Sequence, residues 1–173
     1  MIKDNLLAYY GGKPSVKIKQ PHYIWPEIDK KLNYKIFKYI NNYKNGKNGL
    51  PDVIENFEKS FSKFHKTKYS LCQSSCTAAL HTAYSAIGIK KGDEVIVSNY
   101  TFPATALPIL LLGAKPVLCD IDTLTANIDP NLIEKKITKK TKAISITHWW
   151  GLPCEMDKIL KIKKKYNLYL IED

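Results

Sequence analysis

Apolar and polar positions divide the chain into two patterns. From residue 51 onward, short apolar runs alternate with stretches of helical spacing. Pro51 is suited to open a helix, and Val53, Ile54, Phe57, Phe61 and Phe64 form its apolar stripe. Strands are expected at Tyr69–Gln73, Glu94–Ser98, Pro116–Asp120, Ala143–Thr147 and Leu168–Ile171. Helices are expected at Thr77–Gly88, Phe102–Leu112, Pro130–Ile137 and Met156–Tyr166, with Gly88 and Gly113 as stop signals. Residues 1–50 are less regular. Gly11, Gly12, Pro14, Pro21 and Pro26 interrupt them. Ile28, Leu32, Ile36 and Ile40 recur at near-helical spacing, predicting a helix from about Glu27 to Tyr43, and Asn45–Gly49 reads as a loop.

Strands as apolar as Glu94–Val97 and Ala143–Ile146 suit a sheet covered on both faces. Strand–helix alternation implies crossover connections and a mainly parallel sheet. The fold class expected is therefore α/β, a three-layer sandwich with a mainly parallel central sheet. Ile121–Asn127 is a polar loop whose shape the pattern leaves open.

Composition narrows the function. At 173 residues and 45% hydrophobic, the chain can bury a sizeable core. The longest apolar run, Ala106–Ala114, is too short to span a bilayer, so no membrane association is expected. The N-terminus carries Asp4 and no apolar core of a secretory signal. The four cysteines (Cys72, Cys76, Cys119 and Cys154) form no CxxC pair, so neither a metal site nor a disulfide framework is suggested. Reduced thiols and a cytoplasmic location are the expectation. The net charge of +11 raises the question of nucleic acid, but all 27 basic residues are lysine. Phosphate clamping and base readout favour the planar guanidinium of arginine, so the charge is read as a solvated lysine surface and no nucleic-acid partner is expected.

In an open parallel sheet, ligands bind beyond the carboxyl ends of the strands. Four places qualify. Ser74-Ser75-Cys76-Thr77 opens a helix, either as an ordinary cap or as an anion site built on free amides. Phe102 stands at a strand-to-helix turn, as core or as a ring that stacks on a flat heterocycle. His148-Trp149-Trp150 follows a strand; two adjacent indoles cannot both face one core, and His148 is either a structural residue or a ligand or acid/base. Asp173 follows an apolar strand, and a carboxylate there needs a cap, a salt bridge or a cationic ligand as partner. Neither GxGxxG nor GxxxxGK[ST] is present.

These pieces, in this order, resemble the DegT/StrS-type family of sugar aminotransferases that use pyridoxal 5'-phosphate (PLP) and have the type I aminotransferase fold. The resemblance is carried by Leu7–Pro14, Trp25-Pro26, Phe57–Phe61, Cys76–His81, Ala86–Val97, Thr101–Thr105, Gly113–Val117, Lys140–Ile144, His148–Pro153 with Met156-Asp157, and Ile171–Asp173. It implies an N-terminal arm and helix at 1–50 and part of the PLP-binding large domain at 51–173. Cys76 and Thr77 are implied to hold the cofactor phosphate, Phe102 to stack on the pyridine ring, and Asp173 to pair with the ring nitrogen and keep it protonated.

The implied activity passes an amino group from an amino acid, glutamate or glutamine, to a keto sugar, usually nucleotide-linked, in amino-sugar or polysaccharide biosynthesis by a homodimer. The family's Schiff-base lysine and small domain are expected beyond Asp173. The chain alone is therefore expected to be inactive, with no catalytic residue of its own. The resemblance leaves open a sugar dehydratase with His in place of that lysine, and a non-catalytic fragment. One departure stands out: Cys76 replaces the Gly usual in the family. Its side chain is read either as a small residue that the turn tolerates or as one that crowds the phosphate, and its position at a helix N-terminus is one that lowers a thiol pKa.

Overall fold

The computed structural model describes residues 7–15, 28–42 and 51–173. The chain forms two compact units, Met1–Lys59 and Ser60–Asp173. In the first, Ala8–Tyr10 makes a 3-10 turn closed by Gly11 in the left-handed region. Helix α1 spans Lys30–Asn41, and the Asp29 carboxylate caps it by accepting from the Leu32 amide at 2.6 Å. The expected helix from Glu27 to Tyr43 is thus found within its bounds; Glu27 and Tyr43, like Trp25-Pro26 and the Asn45–Gly49 loop, lie outside the described residues. Helix α2 spans Asp52–His65, directly after Pro51, and crosses the division between the units. Its apolar stripe at Val53, Phe57, Phe61 and Phe64 is exposed.

The second unit alternates helix and strand. After α2 come α3 (Cys76–Ala86), β1 (Glu94–Ser98), α4 (Leu107–Leu111), β2 (Lys115–Cys119), α5 (Pro130–Lys136), β3 (Thr141–Ile146), α6 (Met156–Tyr166) and β4 (Tyr169–Glu172). The four strands pair in parallel in the order β2-β1-β3-β4. Alternation along β1 sends Val95 and Val97 to one face, where Leu80, Tyr84, Ile89 and Ile109 meet them. It sends Ile96 to the other, with Ile133, Ile144, Ile146, Ile159 and Ile162. Helices α3 and α4 thus cover one face and α5 and α6 the other, giving the expected three layers. Burying each Ile or Val removes roughly 1.5–3 kcal/mol of hydration cost. No helix among the described residues is long and apolar enough to cross a membrane.

Two expected elements differ. Tyr69–Gln73 joins no ladder, and Tyr69 and Leu71 are 77% and 64% exposed. A strand exists through its hydrogen-bonded neighbours, and β-branched or aromatic content does not supply them. The helix expected at Phe102–Leu112 is broken into a 3-10 turn, Pro103–Thr105, and the short α4. Pro108 has no amide hydrogen to continue a helix from Pro103, but it is tolerated in the first turn of a new one. The last strand is also less buried than its apolar run suggests. Leu168 is buried, Leu170 and Ile171 half-buried and Tyr169 exposed, because β4 is an edge.

Strand order reverses at β1, since β2 lies on one side of it and β3 on the other. The crevice between the carboxyl ends of β1 and β3 is the switch point where ligands bind in such sheets.

Candidate functional site

Every expected site residue of the second unit lies at this carboxyl end. Ser75 caps α3, its Oγ accepting from the Ala78 amide at 3.2 Å. The Ala79 amide goes to the Ser75 carbonyl. Among the described residues the amides of Cys76 and Thr77 have no hydrogen-bond partner, at the positive end of an 11-residue helix. Both residues are exposed. The turn is therefore a cap and, with its two open amides, an anion-accepting surface.

Asp173 is half-buried at the end of β4. Its backbone is tied across β3: its amide donates to the Ile146 carbonyl at 2.7 Å, and its carbonyl accepts from the His148 amide at 3.3 Å. Thr105 Oγ1 donates to Oδ2 at 2.5 Å, and Cys76 Sγ donates to Oδ1 at 3.5 Å. The structure thus brings Cys76 and Asp173, 97 residues apart in sequence, into contact. Among the described residues no lysine or histidine forms an ion pair with Asp173.

The Cys76 thiol is pushed up from its ordinary value, first by partial desolvation, then by the charge of Asp173 and the bond to it. The lowering expected from the helix terminus is overturned; a thiol beside a carboxylate stays protonated and donates. The backbone of Cys76 does not adopt positive φ, so the conformational freedom of glycine is not called on here. What its side chain does is fill space beside Asp173.

Phe102 is 73% exposed, in extended backbone before the Pro103–Thr105 turn, and its carbonyl accepts from the Thr105 amide. Its ring is solvent-facing rather than core. It stands between Thr101 and Thr105, the residues wired to Asp173.

His148 resolves as structural. Its Nδ1 accepts from the Cys154 amide at 3.1 Å, so that nitrogen carries no proton, and Nε2 donates to Glu172 at 3.0 Å. Both ring nitrogens are committed to holding the β3 and β4 ends together. The two indoles part as expected: Trp149 is half-buried against Tyr100 (centroids 4.5 Å apart), while Trp150 is 91% exposed at φ +51°. Buried Asn127 fixes this turn by accepting from the Trp149 amide and donating to the Leu152 and Pro153 carbonyls.

The pattern missed the hydroxyl set beneath the site. Thr101 Oγ1 lies 3.0 Å from Thr105 Oγ1 and 2.9 Å from Thr147 Oγ1, bridging the crevice between β1 and β3. Tyr84, fully buried on α3, bonds the Thr105 carbonyl at 2.9 Å and Ser145 Oγ at 2.7 Å. Its phenol is pushed up to about 12, chiefly by burial. The i, i+4 spacing of Thr101 and Thr105 was the one available signal; nothing local points to Thr147 or Tyr84.

The residues present suit PLP. Open amides at a helix N-terminus take a phosphate, an exposed ring offers a stacking face, and a half-buried carboxylate with only neutral donors offers itself to a cation. The arrangement can accept a flat, anionic ligand with a protonated ring. The model of the DegT/DnrJ/EryC1/StrS aminotransferase family matches residues 31–173, and the chain belongs to that family.

It is 45% identical over 120 residues to the spore coat polysaccharide biosynthesis protein SpsC of Bacillus subtilis, covering 69% of this chain and 31% of that protein. It is 42% identical over 122 residues to the GDP-perosamine synthase of Escherichia coli O157:H7, covering 70% and 34%. Among solved structures it is similar to ntda from Bacillus subtilis with bound cofactor PMP, at 32% identity and a TM-score of 0.75, over 84% of this chain and 34% of that one. The chain thus spans about a third of the length of the relatives it matches. Its α/β fold with a parallel sheet is shared with PLP-dependent aminotransferases of the type I fold.

Proposed function

We propose that this chain supplies the cofactor-holding surface of a PLP-dependent sugar aminotransferase. The amino group would move from an amino acid, glutamate or glutamine, to a nucleotide-linked keto sugar in amino-sugar or polysaccharide biosynthesis, with a homodimer as the working form. The observation that carries this reading is Asp173: a half-buried carboxylate held by two neutral donors and, among the described residues, without a cation, beside two open helix amides.

Bound there, the cofactor would act as an electron sink for the carbon that loses its proton. The chain's residues do the rest. The Cys76 and Thr77 amides receive the phosphate. Asp173 receives the ring N–H and holds the proton on that nitrogen. Phe102 covers one face of the ring and excludes water from it. Family membership and the relatives named for polysaccharide and GDP-perosamine synthesis support the sugar substrate.

The test is titration of the 173-residue chain with pyridoxamine phosphate (PMP), which has no aldehyde to react with surface lysines. Saturable binding that Asp173→Asn and Phe102→Ala both weaken is expected. Binding that is absent, or indifferent to both substitutions, overturns the reading.

A further inference from the structure

The turn after β3 holds its second indole in a conformation that tryptophan seldom adopts. The Leu152 amide donates to the Trp149 carbonyl at 2.9 Å and closes a four-residue turn. Both central residues have positive φ, Trp150 at +51° and Gly151 at +84°. That is the pattern of a primed turn, whose first central position favours Gly, Asn or Asp. Trp150 brings the bulkiest side chain to that position, yet its indole is 91% exposed. Burial within this chain returns nothing for the strain. Strain kept without a packing return, at the ligand end of a parallel sheet, points to function.

The surroundings tie this turn rigidly to the site. The buried Asn127 side chain accepts from the Trp149 amide at 2.9 Å and donates to the Leu152 and Pro153 carbonyls at 2.9 and 3.3 Å, so it spans the base of the turn. The Gly151 amide goes back to the His148 carbonyl at 3.0 Å, and the His148 amide goes to the Asp173 carbonyl at 3.3 Å. Trp150 thus stands two residues from a backbone bond to Asp173. Tyr100, just beyond β1, meets Trp149 with ring centroids 4.5 Å apart. Trp149 meets Trp150 edge-on, at 5.8 Å and 71°. The three rings form a row that runs from the end of β1 to the turn after β3. Trp149 is packed within the row, and Trp150 at its outer end is open to solvent.

We propose that Trp150 is a substrate-binding residue whose indole stacks on the base of a nucleotide-linked sugar. The proposal rests on the reading of the substrate as a nucleotide-linked keto sugar. In such a molecule the keto carbon has to reach the cofactor at Asp173, and the base is the flat ring at the far end. The outermost ring of the row is the one that meets this far end. Every base has a π-face, so an indole binds it by stacking whatever the base is. The turn is already fixed by its hydrogen bonds, so the backbone that carries the indole needs no ordering when the ligand arrives. The other occupant of an exposed indole is a second copy of the chain, and the experiment separates the two.

The experiment titrates the 173-residue chain by calorimetry with GDP, dTDP, inorganic pyrophosphate and PMP. Parent, Trp150→Gly and Trp150→Phe are compared, with a melting curve and a sedimentation run on each. Glycine takes positive φ freely, so Trp150→Gly is expected to melt at the parent temperature or above it. GDP and dTDP affinity are both expected to fall about tenfold in Trp150→Gly. Trp150→Phe keeps a stacking face and is expected to recover most of that loss. Pyrophosphate has no ring and is expected to show no difference between the variants. Nucleotide binding that Trp150→Gly leaves unchanged overturns the proposal and leaves the nucleotide-linked substrate standing. A lower melting temperature in Trp150→Gly makes the indole structural and overturns it, as does an equal fall for pyrophosphate. A parent that pairs in sedimentation while Trp150→Gly does not, at equal nucleotide affinity, seats a second copy on the indole and also overturns it. Binding of neither nucleotide overturns the proposal, and PMP binding by the same sample then shows that the cofactor reading stands without it.

Discussion

The sheet carries a shielded carboxylate at each end, and the two are treated differently. At the amino end of β1, Glu94 is 9% exposed; its Oε2 accepts from Thr138 Oγ1 at 2.6 Å, and Lys115 Nζ lies 3.8 Å from Oε1. At the carboxyl end, Asp173 also accepts from a threonine, but its second donor is a neutral thiol and, among the described residues, no lysine pairs with it. The motif of carboxylate and threonine is shared; the cation is not. Glu94 is a closed structural site, whereas Asp173 is organised by two donors and has no cation beside it among the described residues. Charge left uncompensated at partial burial costs free energy unless a partner arrives, and the switch point of the sheet is where a ligand would bring one.

Removing each carboxylate separates the two ends. Asp173→Asn is expected to weaken PMP binding by about 100-fold or more, the order for deleting one partner of a shielded ion pair, with the thermal midpoint nearly unchanged. Calorimetric titration and a melting curve on the same sample check both. An equal loss of stability and no loss of binding would make Asp173 a second Glu94.

The scaffold behind Asp173 has its own pH signature. The Tyr84 phenol ionises at about 12 when folded and near 10 when unfolded. Its contribution is fully present below pH 10 and is lost as pH rises from 10 through 12, because the unfolded chain releases the proton first. The loss is about 2–3 kcal/mol by pH 12. Denaturant unfolding from pH 8 to 11.5 should show a fall that Tyr84→Phe flattens. A parallel fall in the variant would assign the effect to other groups.

Glu94→Gln should do the reverse of Asp173→Asn. It removes a charged acceptor and the attraction to an exposed lysine, so a loss of about 1 kcal/mol is expected. That is a drop of roughly 2–4 °C in Tm for a chain of this size, with PMP affinity unchanged. The smallest effect is expected from Cys76→Gly. Taking away the sulfur opens space beside the amides and frees one acceptor position on Asp173, so PMP should bind a few-fold more tightly. Weaker binding would mean that the thiol contributes to the site rather than crowding it.

Much of this protein was settled by sequence alone. β1 and α6 run between the residues that alternation and helical spacing predict, Glu94–Ser98 and Met156–Tyr166, because both patterns report local geometry directly. The cap at Ser75, the stop at Gly88 with φ +79° and the carboxylate after the last strand are likewise written locally. The resemblance across residues 7–173 named the family before any coordinates. Tertiary structure decided the rest. Tyr69–Gln73 has strand composition but pairs with nothing, since pairing depends on a neighbour that composition does not encode. Thr105 meets Asp173 across 68 residues and Thr101 meets Thr147 across 46. Those contacts exist only because β1 and β3, separated in the chain by β2, lie side by side in the sheet. Whether a carboxylate has a lysine beside it is decided in the same way. Strand order places Lys115 next to Glu94 and leaves Asp173 with a hydroxyl and a thiol, and the physical difference between a structural acid and a candidate ligand-binding one follows from that placement.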